Sequence, residues 1–146
     1  MAEKLPHSPY DTVKGLVYFA RMLDKIRLHA AGVLPKDYHE HLGKGFDGRC
    51  VNFLGVKYDD VRKLALAGEK DEAVLEWCFQ HGRRPTEEEI ETWSGYMQKR
   101  GWRDDVSDRL ANRLKEAGLG DRAKEVATMF DFIDVDEGRT PHDFKK

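Results

Sequence analysis

A chain of 146 residues, 40% hydrophobic and 36% charged, has the length of one domain and the composition of a folded protein with a heavily charged surface, which excludes a disordered chain and a second core. Its 25 basic and 27 acidic residues leave a formal net charge of -2, too little field to gather nucleic acid, although a local basic patch can still hold an anion. The longest apolar patch, Leu16 to Ala20, is too short to cross a membrane or drive secretion.

Taken in chain order, hydrophobic periodicity and helix punctuation predict helices throughout and no strand. Residues 1–7 read as a tail. A first helix is expected from Asp11 to Ala31, closed by Gly32, and a turn-rich segment with Pro35 and three glycines follows it. A short helix after Asp47 runs from Arg49 to Leu54, and Asp59 caps the next, which Gly68 ends. "DEAVLEWCFQHG" forms a helix ending at Gly82. Thr86 with Glu89 then makes a capping box for a helix carrying Ile90, Trp93 and Met97 inward and ending before Gly101. Two more helices, Asp104 to Ala117 and Asp121 to Ile133, precede a second tail at 136–146. The expected fold is therefore all-α, one irregular bundle of about six or seven helices over residues 8–135.

Gly43, Gly45 and Gly48 in "LGKGFDGRC" spell G-x-G-x-x-G. That fingerprint binds a dinucleotide only when a buried parallel strand delivers the chain into the turn. "PKDYHEHL" before it is polar, so the Rossmann reading fails and no nucleotide cofactor is expected. What remains is a flexible turn bearing Lys44 and Arg49 that leads into the free amides of a helix start and can hold phosphate or carboxylate. The bland reading is a chain reversal in which Asp47 caps its own helix.

Helix one carries the more informative signal. At about 100° per residue, Leu16, Phe19, Ala20, Met22, Leu23, Ile26 and Ala30 share an apolar arc that continues through Val13, Val17 and Leu28. Asp24 and Arg27 fall inside that arc, while Lys14, Tyr18, Arg21, Lys25 and His29 share the polar side. Charges in an apolar setting must be paired or face a ligand, so Asp24 and Arg27, three apart, are expected in one partly buried cluster, with Arg21 and Lys25 making the surface basic. That cluster is either a structural ion pair tying helix one to the glycine segment, with Asp47 or Arg49 as further members, or a ligand site.

His29, or His39 beside His41, is a candidate for proton transfer, with Asp24 as a carboxylate partner, and the H-x-H pair is a weak metal candidate. No H-E-x-x-H, no G-x-S-x-G and no C-x-x-C is present. Cys50 and Cys78 read as buried thiols in a reducing cytoplasm, the expected location. "DFIDVDEG" resembles a calcium loop, but Gly138 comes one place early and Lys145 stands where the bidentate glutamate belongs. Trp77, Trp93 and Trp102 read as core residues.

Three blocks, "SPYDTVKGLVYFARMLDKIRLHAAGVLPKDYHEHLGKGFDGR", "DEAVLEWCFQHGRRPTEEEIETWSGYMQKRGWRD" and "FDFIDVDEGR", resemble the bacterial domain of unknown function 5069 family. The likeness covers most of the chain and implies a small bacterial cytosolic protein. It carries over no activity, cofactor or catalytic residue.

The residues thus point first to a module for a small anionic metabolite, bound by Arg21, Asp24, Lys25, Arg27, Lys44 and Arg49. An enzyme in which His29 or His39 moves a proton on an anionic substrate is the alternative. A third reading is a protein-interaction module, homo-oligomeric or with another protein. Neither nucleic acid nor membrane is an expected partner.

Overall fold

The computed structural model describes residues 2–144; Met1, Lys145 and Lys146, the extremities of the two expected tails, lie outside it. Among the described residues seven α-helices follow a two-stranded hairpin: α1 Phe19–Ala30, α2 Phe46–Leu54, α3 Tyr58–Leu66, α4 Asp71–His81, α5 Glu87–Lys99, α6 Ser107–Glu116 and α7 Met129–Asp136. Short 3₁₀ helices at Lys36–His41 and Gly120–Glu125 connect α1 to α2 and α6 to α7. The fold is mostly helical and forms one domain.

The first helix is shorter than its periodicity suggests. β1 Thr12–Val13 and β2 Leu16–Val17 pair antiparallel, Thr12 opposite Val17 and Val13 opposite Leu16. Lys14 and Gly15, at φ 49° and 83°, form the two-residue turn, whose positive φ values match the twist of a hairpin. Tyr18 then turns the chain at φ 72°, and α1 begins at Phe19. Val13, Leu16 and Val17 are buried either way, which is how a hairpin feeding a helix imitates one long helical stripe.

Around α1 the core gathers Leu16, Phe19, Met22 and Leu23 with Cys50, Leu54, Val61, Leu75, Met97 and Phe130. A smaller cluster, Leu110, Leu114, Val126, Phe132 and Val135, joins α6 to α7. Phe53 and Trp93 stack at 4.8 Å on the edge of the larger core, while Trp102 is exposed, contrary to its expected place in the interior. Gly82 ends α4 against α2: a Cβ there would sit 2.0 Å from the Leu54 carbonyl oxygen, so only glycine permits the Arg83 amide to donate to that carbonyl at 2.9 Å.

The helix ends obey local chemistry. The Thr86–Glu89 capping box forms as expected. Asp104 accepts from the amides of Gly101 and Val106, and α6 starts only at Ser107. The final helix, expected from Asp121, instead starts at Met129, where Thr128 caps it by accepting from the Asp131 amide.

Described residues in both segments expected as tails are tied to the body. The Lys4 amide donates to Val33, the His7 amide to Asp24, and Arg139 to the Pro6 carbonyl. Glu137 is an inward-facing acid, its side chain 3% exposed. Burying that carboxylate requires the cation partner described next.

Candidate functional site

Arg21 and Lys25 lie one turn apart on α1 and therefore share a face. That face, expected to be the polar side, is buried under the glycine turn, α2 and the end of α7. Lys25 Nζ lies 2.9 Å from Asp47 Oδ1 and donates to the Tyr18 hydroxyl at 3.0 Å. Tyr18 donates in turn to Asp47 Oδ1 at 2.9 Å, and the Gly43 amide donates to Asp47 Oδ2 at 3.0 Å. Asp47, fully buried, thus closes the turn back onto α1. It does not cap its helix as expected: Gly45 holds the N-cap position without a side-chain bond, and Asp47 lies inside the first turn.

Beside this triad Arg21 grips Glu137 with both ends of its fork, at 2.9 and 2.7 Å, and the Tyr38 hydroxyl donates to the same carboxylate at 2.7 Å. Burial lowers the Lys25 ammonium below its ordinary value even though Asp47 opposes it. Burial, then the Asp47 charge, raises the Tyr18 hydroxyl well above its own. For Glu137 burial would raise the carboxyl, and the bonds from Arg21 outweigh it, holding it low. Burial keeps both thiols protonated, with Cys78 pushed up to about 12.

The Glu137 pair has a pH signature. A carboxyl whose folded value is depressed contributes stability fully above its unfolded value, about 4.3, and loses it as pH falls through the folded value. The stability difference between wild type and Glu137→Gln, measured by urea denaturation, should therefore be greatest near neutrality and shrink below about pH 4. A difference constant from neutral to acid would contradict a charged, paired Glu137.

Tyr18, Arg21 and Lys25 line a cavity of about 470 Å³, within the range of small-molecule sites. Lys44 and Arg49 reach it from the glycine turn and α2, Arg100 from the end of α5, and Arg109 and Arg113 from successive turns of α6. Seven basic side chains line it against three acidic ones, Asp37, Asp136 and Glu137. Three of the seven are satisfied within the protein: Arg21 by Glu137, Lys25 by Asp47, and Arg100 by Asp104 and Asp105. Lys44, Arg49, Arg109 and Arg113 make no ion pair among the described residues. Phe46, Val106, Met129 and Ile133 supply apolar wall. Tyr96 lies under both Arg49 and Arg100, at 5.6 and 5.7 Å from their guanidinium carbons, and holds them at the rim.

Of the residues expected to bind an anion, Arg21, Lys25, Lys44 and Arg49 meet at this cavity. Asp24 and Arg27 do not line it and do not pair with each other. Asp24 accepts from the His7 amide at 3.0 Å, and Arg27 pairs with Asp71 at 2.5 Å and donates to the Glu69 carbonyl. The apolar arc that enclosed them on paper assumed a helix reaching back to Val13; with α1 starting at Phe19, both are half-buried at its edges. Asp24→Asn and Arg27→Met should each cost about 1 kcal/mol or less and should add within about 0.5 kcal/mol in the double variant. A coupling energy above that, from urea titrations, would restore a shared cluster.

The histidines are placed less favourably. His29 and His39 rings meet edge to face at 4.6 Å, His39 Nε2 is bonded to the Leu34 carbonyl, and neither lines the cavity. His41 reaches the rim, next to Glu40 at 3.5 Å. Among the described residues no three His, Cys, Asp or Glu side chains gather as a metal site. The chain reaches the glycine turn from a 3₁₀ helix, so the strand a dinucleotide fingerprint needs is missing there.

Sequence reasoning missed Tyr38, Arg100, Arg109, Arg113 and Glu137. The pair Arg109 and Arg113, spaced four apart beside Leu110 and Leu114, was a visible signal, since i and i+4 cations share a face. The others come from distant parts of the chain.

These features define a small helical domain with a cation-rimmed cleft. The chain belongs to the family described as Domain of unknown function (DUF5069), whose model matches residues 3–139. Comparison with curated proteins gives no match.

Proposed function

We propose that the cleft binds a small organic anion bearing phosphate or carboxylate groups. The observation that carries this reading is the set of four cations, Lys44, Arg49, Arg109 and Arg113, at one cavity of about 470 Å³. None of them is in an ion pair within 4.0 Å among the described residues, and Arg49 and Arg113 are balanced only at longer range by Asp105 and Asp136. Like charges gathered at a rim repel one another, and an anion relieves that repulsion. The apolar wall beside them favours a ligand with a carbon body over a bare inorganic ion. A reducing cytoplasm fits the two free buried cysteines.

An enzyme centred on His29 or His39 draws no support from their positions outside the cavity. A protein-interaction role has only scattered exposed apolar residues behind it, such as Leu66 and Trp102. The test is a thermal melt with phosphate monoesters, bisphosphates, di- and tricarboxylates and NAD. A ligand at a hundred times its dissociation constant stabilises by about 2.7 kcal/mol. At least one of the small anions should raise the melting temperature in a dose-dependent and salt-sensitive way, NAD should not do so at micromolar concentration, and a panel without effect would refute the proposal.

A further inference from the structure

We propose that Lys25 is a carbonyl-trapping amine, and that the anion held at the rim carries an aldehyde or ketone which condenses with it to an imine. This rests on the anion reading, because the rim cations are what hold the substrate's charged group.

Three features of the cavity floor point to reaction and not to binding alone. Lys25 lines the cavity although its side chain is 5% exposed, so the amine is sheltered from bulk water yet borders the ligand space. Its two polar neighbours are Tyr18 Oη at 3.0 Å and Asp47 Oδ1 at 2.9 Å. An uncharged amine can donate one hydrogen to each, which leaves its lone pair free for a carbonyl carbon. Tyr18, which brings its hydroxyl to that point, is a buried aromatic residue at φ 72° and ψ -26°. Such left-handed backbone is rare for a bulky side chain and persists where the surroundings enforce it, often at functional sites.

The electrostatics agree with the geometry. Burial lowers the Lys25 ammonium below its ordinary value against the opposing Asp47 charge, so that its proton passes to Asp47 more readily than from a surface lysine, and burial keeps the Tyr18 phenol protonated. Arg21, also at the floor and one turn away on α1, adds a like charge that further disfavours the ammonium.

The chemistry balances with these groups. The Lys25 nitrogen, having passed one ammonium proton to Asp47, attacks the carbonyl carbon, and the C=O π pair moves to oxygen, which takes the Tyr18 proton as that hydroxyl turns from Asp47 Oδ1. Tyr18 recovers a proton from the nitrogen it touches, giving a neutral carbinolamine. The nitrogen lone pair then forms the C=N bond as the hydroxyl departs with the remaining nitrogen proton, relayed by Asp47, and one water leaves for each imine formed. No oxidant or reductant is consumed in this step.

The experiment uses the unmodified full chain incubated with pyruvate, 2-oxoglutarate or glycolaldehyde phosphate in the presence of cyanoborohydride, which reduces the imine to a stable amine. Peptide mass mapping should find the reduced adduct of at least one compound on Lys25, with occupancy about tenfold or more above the exposed Lys57 and Lys63, as expected for a positioned reactant. Labelling that favours Lys57 and Lys63, or no labelling at Lys25 by any of the three, overturns the proposal. Because the wild-type chain is mapped directly, the outcome does not depend on a Lys25 variant folding. Excess pyrophosphate separates the two readings. Lys25 labelling that pyrophosphate leaves unchanged keeps the imine and contradicts the anion site, whereas anion-dependent melting shifts without Lys25 labelling keep the anion site and overturn the imine.

Discussion

Asp47→Ala should lower stability by about 3 to 5 kcal/mol, because it leaves a buried charge without its partner. Asp47 has no exposed surface and answers three donors: the Lys25 ammonium, the Tyr18 hydroxyl and the Gly43 amide. Alanine removes the only carboxylate within 4.0 Å of Lys25 among the described residues and frees the glycine turn that brings Lys44 to the cavity. Asp47→Asn keeps an acceptor in the same place and should cost less. Adding Lys25→Met to Asp47→Ala should restore part of the loss, since the orphaned cation is gone. Urea denaturation checks all three variants. A loss below about 1 kcal/mol for Asp47→Ala would show that water replaces the carboxylate and that the triad does not hold the turn.

Arg109→Gln with Arg113→Gln should do the reverse, weakening anion binding strongly while leaving the fold intact. Neither arginine makes an ion pair within 4.0 Å among the described residues, Arg113 acting on Asp136 only at longer range, and Arg109 is exposed, so stability should change by no more than about 1 kcal/mol. A charge-assisted hydrogen bond contributes about 1.5 to 3 kcal/mol. Losing even one lowers affinity for an organic phosphate by about tenfold to a hundredfold in a calorimetric titration. Unchanged affinity would remove α6 from the site.

Most helices were legible because each was bounded by residues with local jobs: Thr86 and Glu89 at one start, Gly68 and Gly82 at two ends. The hairpin was not, since Val13, Leu16 and Val17 happen to repeat at helical spacing and only Lys14–Gly15 marks the turn. That single misreading moved the expected charge cluster. Extending α1 backward enclosed Asp24 and Arg27 in an apolar stripe and left Arg21 and Lys25 on a face assigned to water. Their burial depends on Glu137 and Asp47, which lie 116 and 22 positions away in the chain, a relation that no local pattern encodes. Lys44 and Arg49 reach the cavity because the glycine turn and α2 carry them there. The amides of Asp47 and Gly48, expected to be free for an anion, donate instead to the Lys44 carbonyl.

The cation-rimmed cleft is tested most directly by titrating the uniformly ¹⁵N-labelled protein with an organic phosphate and following its amide and arginine side-chain resonances. Concerted, saturable shifts are predicted at Lys44, Arg49, Arg109 and Arg113, with Asp24 and Arg27 unaffected. Absence of saturable shifts at those four residues, or shifts centred on Arg27 and Asp71 instead, would contradict it.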